Sequence, residues 1–169
     1  MREASGHKDG IPDTWSDQDI QDVHYRSQLD PVDPDLVEPL GWVSYAAIRF
    51  HSTLRSVWTF QLGGSDKQAD AWPTGTLANK VVKAARDQGD PRAGAFEEWY
   101  RAYGQPAIDM RNGVMHAWPY TAEDGFQALG MGPRVAGRSR ITKTTLERVA
   151  GVIGLASWRL DVIRCDRDS

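Results

Sequence analysis

Apolar residues recur at three- and four-residue steps between Asp35 and Leu62: Leu36, Leu40, Val43, Ala47, Phe50, Leu54 and Val57, with Gln61 closing the series. A period near 3.6 collects such positions on one face, so this stretch predicts a long amphipathic helix. Gly63-Gly64-Ser65 stops it. Residues 63–74 predict a loop holding Trp72-Pro73, and a second helix follows from Thr74 or Thr76 to Asp87, with Leu77, Val81 and Ala84 or Ala85 inward. Asp90-Pro91 predicts a restart, the carboxylate as N-cap and the proline at the first helical position. Phe96, Trp99, Tyr100 and Tyr103 give the next helix its aromatic face. Pro106 lacks an N–H and crowds the preceding turn, which predicts a kink or short break. The helix then resumes to about Met115 with Ala107, Met110 and Val114 inward.

From His116 to Met131 the helical period is lost. Two short extended segments flank Ala122-Glu123-Asp124-Gly125, and Asp-Gly is a strong hairpin signal. Gly130, Gly132 and Pro133 close the excursion, and a basic run of Arg134, Arg138, Arg140 and Lys143 follows as a loop. The last helix is expected to start at Thr142 or Thr144, the latter forming a capping box with Glu147. Leu146, Val149, Ile153, Leu160 and Ile163 mark its buried side, and Gly151 and Gly154 predict close helix–helix approach. The expected fold is all-α: four main helices with a small β-hairpin or extended insertion before the last.

The chain of 169 residues is long enough for one domain with a sizeable core. No apolar run approaches the roughly 20 residues a membrane span needs, and the acidic, polar N-terminus is unlike a secretory signal. The lone Cys165 can form neither an internal disulfide nor a thiolate zinc site, so the cytoplasm is the expected compartment. Net charge is −3, but it divides unevenly: residues 1–40 hold 3 basic and 10 acidic side chains, leaving 17 basic and 13 acidic for the rest. The acidity belongs to a tail and the body is mildly basic. Residues 1–34 are read as an acidic, partly disordered segment with a short helix from Ser16 to Leu29, and residues 35–169 as the helical domain.

Candidate chemistry concentrates in Arg111-Asn112-Gly113-Val114-Met115-His116. An arginine offers a permanently charged fork for two phosphate oxygens. A histidine can take and return a proton near neutral pH. Asn112 can hold either in place. The bare spacing recurs at Arg2…His7 in the polar tail, but only two Asn occur in the chain, and one directly follows Arg111. The ordinary alternative pairs Arg111 with Asp109, Glu97 or Glu98 and leaves His116 capping helix carbonyls. Five helical residues turn through about 500°, setting the two side chains about 140° apart; convergence therefore requires the helix to end near Met115. No carboxylate cluster, Cys–His set, phosphate-cradling glycine loop or Gly-x-Ser-x-Gly elbow competes, so neither a metal nor a cofactor is expected.

Arg-Asn-x-x-x-His at a helix end in a small all-helical chain resembles the HEPN superfamily, over roughly residues 35–165. His116-Ala117-Trp118-Pro119 and Glu123-Asp124-Gly125 are also similar to stretches of small HEPN-like bacterial proteins. The resemblance implies a four-helix bundle and a metal-independent endoribonuclease, with Arg111, Asn112 and His116 catalytic. It also implies an active site completed across a homodimer interface. A toxin with a cognate antitoxin, or a phage-defence effector, is the implied role. Arg134, Arg138, Arg140 and Lys143 are the expected RNA contacts. Because the superfamily includes relatives that are not nucleases, the alternative is a non-catalytic module binding a partner protein or a nucleotide.

Overall fold

A computed structural model describes residues 16, 18, 21, 22, 33–131 and 139–165. Helix α1 spans Pro34–Phe60; the carboxylate of Asp33 accepts from the Asp35 amide at 3.0 Å, and Pro34 fills the first turn, where an N–H is dispensable. Its Leu36, Val43, Phe50, Leu54 and Val57 are buried as the periodicity requires, with Leu40 half-buried. The last helix, here α6, spans Lys143–Cys165 and lies along α1, burying Leu146, Val149, Ile153, Ala156 and Leu160 in the shared seam. Each buried Leu, Ile or Val side chain contributes about 1.5–3 kcal/mol by leaving water. Within that seam Thr53 and Ser157 share a buried hydroxyl–hydroxyl bond of 2.9 Å.

Between these helices come α2 (Asp66–Ala71), α3 (Thr74–Asp87), α4 (Ala93–Trp99) and α5 (Gln105–Met115). The kink or short break expected at Pro106 takes the form of a local change in winding. Tyr100–Gly104 forms a π turn that joins α4 to α5 without interruption, and the Gln105 amide bonds back to the Tyr100 carbonyl. The wider winding accommodates the proline's missing donor, a common use of such turns. The buried position 104 suits glycine, because a Cβ would lie 3.0 Å from the Trp99 ring. Trp99 in turn donates its indole N–H to the Ala156 carbonyl at 2.8 Å, tying this rod to α6.

Other expectations need correction. The 63–74 loop contains α2, opened by a capping box in which Ser65 and Gln68 serve each other's amides. Asp90 is not an N-cap; helix α4 begins two residues later than expected, and the Asp90 carboxylate accepts from the Arg92 amide and guanidinium at 2.8 Å. Of the two caps expected for the last helix, Thr142 takes the role, its hydroxyl accepting from the Thr145 amide at 3.2 Å. Gly151 and Gly154 face open space, with nothing within 4 Å of a notional Cβ, so they bring no helix close within this chain.

The insertion is a small antiparallel sheet in the order β1-β2-β3: Trp118–Thr121, Gln127–Met131 and Ser139–Arg140. Thr121 pairs with Gln127 across the Asp-Gly turn, where Gly125 takes a φ of +84° that only glycine adopts freely. Pro119 sits on the edge strand, where a missing donor is tolerated. The third strand replaces part of the expected basic loop. Arg134 and Arg138 lie outside the described residues. Of the N-terminal segment only Ser16, Gln18, Gln21 and Asp22 are described before Asp33, and the last three are helical. No helix among the described residues is long and apolar enough to cross a membrane.

The outer face of α1 is less polar than its partners require. Val37, Trp42, Tyr45 and Ile48 are exposed, and Trp42, Tyr45 and Trp158 border an open groove of about 570 Å³ between α1 and α6.

Candidate functional site

Helix α5 delivers the motif. Its last helical residue is Met115, and His116 follows as C-cap, with φ −105° and ψ 13°. The His116 amide still bonds the Asn112 carbonyl at 2.9 Å. The imidazole therefore keeps nearly its helical azimuth, about 140° from Arg111, and the helix end alone does not make the two converge.

Arg111 and Asn112 do come together. Arg111 Nη1 donates to Asn112 Oδ1 at 3.0 Å. Both line a cavity of about 170 Å³ whose other walls are Ala47 and Phe50 of α1, Ile108 of α5, and Pro73, Thr74, Gly75 and Thr76 at the start of α3. Arg111 Nε is buried and has no hydrogen-bond partner among the described residues. The expected carboxylate partners of Arg111 are engaged elsewhere. Glu98 holds Arg101 at 2.8 Å, Asp109 accepts from Gln105 at 2.7 Å, and Glu97 faces Arg86 at 3.9 Å. His116 is exposed and does not line the cavity.

The remaining wall comes from α3. Pro73 occupies the N-cap position and has no side chain able to cap the helix. The first helical amide to find its carbonyl is that of Leu77, on Pro73 at 3.0 Å. The amides of Thr74, Gly75 and Thr76 precede it, at the positive end of the helix dipole. Among the described residues, the cavity wall holds an arginine, an amide, two hydroxyls and a helix N-terminus, and no Asp or Glu. No family model matches this chain, and no curated protein or solved structure matches it.

His51 stands one helical turn from Ala47, and its Nδ1 lies 3.1 Å from the Thr74 hydroxyl. Burial holds its imidazole below the ordinary histidine value; Asp70 opposes that shift, while Arg55 and Arg111 reinforce it. The contact is to a residue of the cavity wall. Thr74, Gly75 and Thr76 were not singled out as functional by sequence reasoning. The available signal was Trp72-Pro73-Thr74-Gly75-Thr76, a helix start lacking a side-chain cap.

Arg140 does not stand free. Its guanidinium spans Asp33 at 2.9 Å and Asp124 at 2.7 Å, fastening the sheet to the chain ahead of α1. Lys143 is exposed in the first turn of α6. Among the described residues, no group of three or more His, Cys, Asp or Glu is arranged to hold a metal ion.

Proposed function

We propose that this chain is a metal-independent endoribonuclease of the HEPN kind, its four long helical stretches forming the bundle and two copies completing the active site. The observation that carries the reading is the state of Arg111. A partly buried guanidinium with no carboxylate partner among the described residues is costly to maintain. It lies beside Asn112 and five residues before an exposed histidine. RNA supplies the matching chemistry. Its 2′-hydroxyl attacks the adjacent phosphorus once a base removes the proton; the transition state gathers charge on the non-bridging oxygens, and an acid protonates the departing 5′-oxygen. Arg111 serves the oxygens and His116 moves the proton. A single chain points these two groups in different directions, so a second copy brings its own pair across a two-fold axis. A cytoplasmic toxin or defence effector is the corresponding role, with the exposed Lys143 a contact for RNA phosphates.

A non-catalytic partner-binding module is the second reading, favoured by one observation. The Trp42–Tyr45–Trp158 groove lies within the size range of small-molecule sites and contains none of the motif.

RNA cleavage by purified protein in EDTA separates the two. The ribonuclease reading expects 2′,3′-cyclic phosphate or 3′-phosphate ends, and a loss of about 10²–10⁴ in rate for His116→Ala with the fold intact. A well-folded His116→Ala protein cutting at the wild-type rate removes His116 from the mechanism. Strict dependence on a divalent ion removes the mechanism itself.

A further inference from the structure

We propose that the outer faces of α1 and α6 form one surface that pairs with the same surface of a second copy, the two chains related by a two-fold axis near Gly151 and Gly154. The inference gives the second copy invoked above a face to sit on. It rests on the ribonuclease reading only for the catalytic use of the pair; the pairing stands on the surface alone.

The first argument is area. Val37, Trp42, Tyr45 and Ile48 on α1, with Leu155, Trp158 and Val162 on α6, are each between 43% and 67% exposed. At helical spacing they fall within about 140° of arc on α1 and about 60° on α6, opposite the buried seams. The two sets meet at the groove of about 570 Å³ bordered by Trp42, Tyr45 and Trp158. An aromatic side chain carries ~150–250 Å² of surface, so seven roughly half-open side chains present on the order of 700 Å². That exceeds the ~300–600 Å² of the largest apolar patch on a typical monomer. It approaches the ~800 Å² per partner of a stable interface.

The second argument is self-complementarity. Thr53 meets Ser157, and the Gln61 side chain meets the Arg164 carbonyl, so α1 and α6 run parallel at a nearly constant offset. The apolar patch of α1, Val37 to Ile48, ends about where that of α6, Leu155 to Val162, begins. A two-fold axis perpendicular to both helices reverses the twin. Its α6 patch then lies over this copy's α1 patch and the converse, as an isologous contact requires. The centre of that arrangement falls at Gly151 and Gly154. Within the chain no atom comes within 4 Å of a notional Cβ at either position. Two backbones can therefore approach most closely where the axis passes. The groove's charged borders are Arg49 and Glu147, of opposite sign, and Asp161, already bound by Arg164 at 2.9 Å. A copy meets its twin without an excess of either charge.

Sedimentation equilibrium of the full chain over ~1–100 μM reads the pairing without catalysis. The wild type should reach twice the chain mass. Trp158→Glu, at an exposed position outside the motif, should stay folded by circular dichroism and raise the dimer Kd at least about ten-fold. Gly154→Gln raises helix propensity within the chain yet crowds the axis, and should weaken the pair by a similar factor. In a Cys165→Ser background, Gly151→Cys should form a disulfide-linked dimer under mild oxidation, whereas Phe60→Cys, exposed at the far end of α1, should not. A monomer at every concentration would overturn the pairing, even one that sediments with lipid vesicles or cleaves RNA. Wild-type association in either folded variant would overturn this face, as would equal cross-linking at Phe60→Cys. A dimer that responds to these variants but leaves RNA intact in EDTA would keep the pairing and remove the ribonuclease reading.

Discussion

Replacing Arg111 by methionine separates an arginine kept for stability from one kept for a ligand. Methionine preserves the unbranched apolar stem and deletes the charge. The structure gives the terms on each side. Lost is one hydrogen bond to Asn112, of 3.0 Å, worth about 0.5–1.5 kcal/mol net. Gained is relief from the positive end of α3, about 0.3–1 kcal/mol and up to ~2 where the geometry is partly buried, together with the end of an unpartnered buried Nε. The two sides nearly cancel, so unfolding free energy should change by no more than about 1 kcal/mol, or roughly 2–4 °C in Tm for a domain of this size. The assay is urea unfolding of both proteins in chloride and again in sulfate at equal ionic strength. Sulfate should stabilise both proteins through its exclusion from the protein surface and the wild type more than Arg111→Met, because binding to the folded state adds to its stability. A loss near 3–5 kcal/mol in chloride, the signature of breaking a buried ion pair, would refute the reasoning and make Arg111 a structural residue.

Two further outcomes concern the frame around the site. Thr53→Val leaves the Ser157 hydroxyl buried alone in the α1–α6 seam and should cost about 1–3 kcal/mol, whereas Thr53→Val with Ser157→Ala should recover most of it; chemical denaturation of the three proteins reads this directly. The Asp90 carboxyl is held below the usual carboxylate range, first by the side-chain hydrogen bonds from Arg92 and further by the Arg92 amide, against the opposing effect of burial. A depressed folded value means its contribution is present above the ordinary carboxylate range and disappears as pH falls through the lowered value. Asp90→Asn should therefore lower stability at neutral pH and flatten its decline in acid, as followed by Tm against pH; an unchanged acid limb would show that Asp90 contributes nothing to it.

What was legible in the chain was whatever repeats over several turns. The faces of α1 and α6 could be read from Leu36 to Val57 and from Leu146 to Leu160, because each helix buries the same side for many residues. The hairpin could be read from one Asp-Gly pair. Helix α2 was missed because six residues are too few to show a period, although Ser65 and Gln68 carried its capping box. Gly151 and Gly154 were misread because spacing says that a backbone can be approached, not that anything approaches it. In the candidate site, Arg111 and Asn112 were legible as neighbours. The absence of an ion pair at Arg111 among the described residues was not, since it depends on Glu97, Glu98 and Asp109 finding other partners. Thr74 to Thr76 could not be joined to Arg111 from order alone, because the two segments meet only when α3 and α5 pack on α1.

The π turn has a consequence for inheritance. Each residue of a helix advances its direction by about 100°, and Tyr100–Gly104 winds more widely than an α turn. A π turn holds one residue more than an α turn over nearly the same rotation, so deleting one residue there would restore ordinary winding, keep the rod continuous and leave Arg111 facing as it does now. Deleting one residue between Gln105 and Met110 instead would bring Asn112 to the azimuth Arg111 now occupies, and the cation would leave the cavity although every motif residue survived. The direction of Arg111 thus depends on the number of α-wound residues before it, and Tyr100–Gly104 is the stretch of the rod where a single-codon deletion would spare the site.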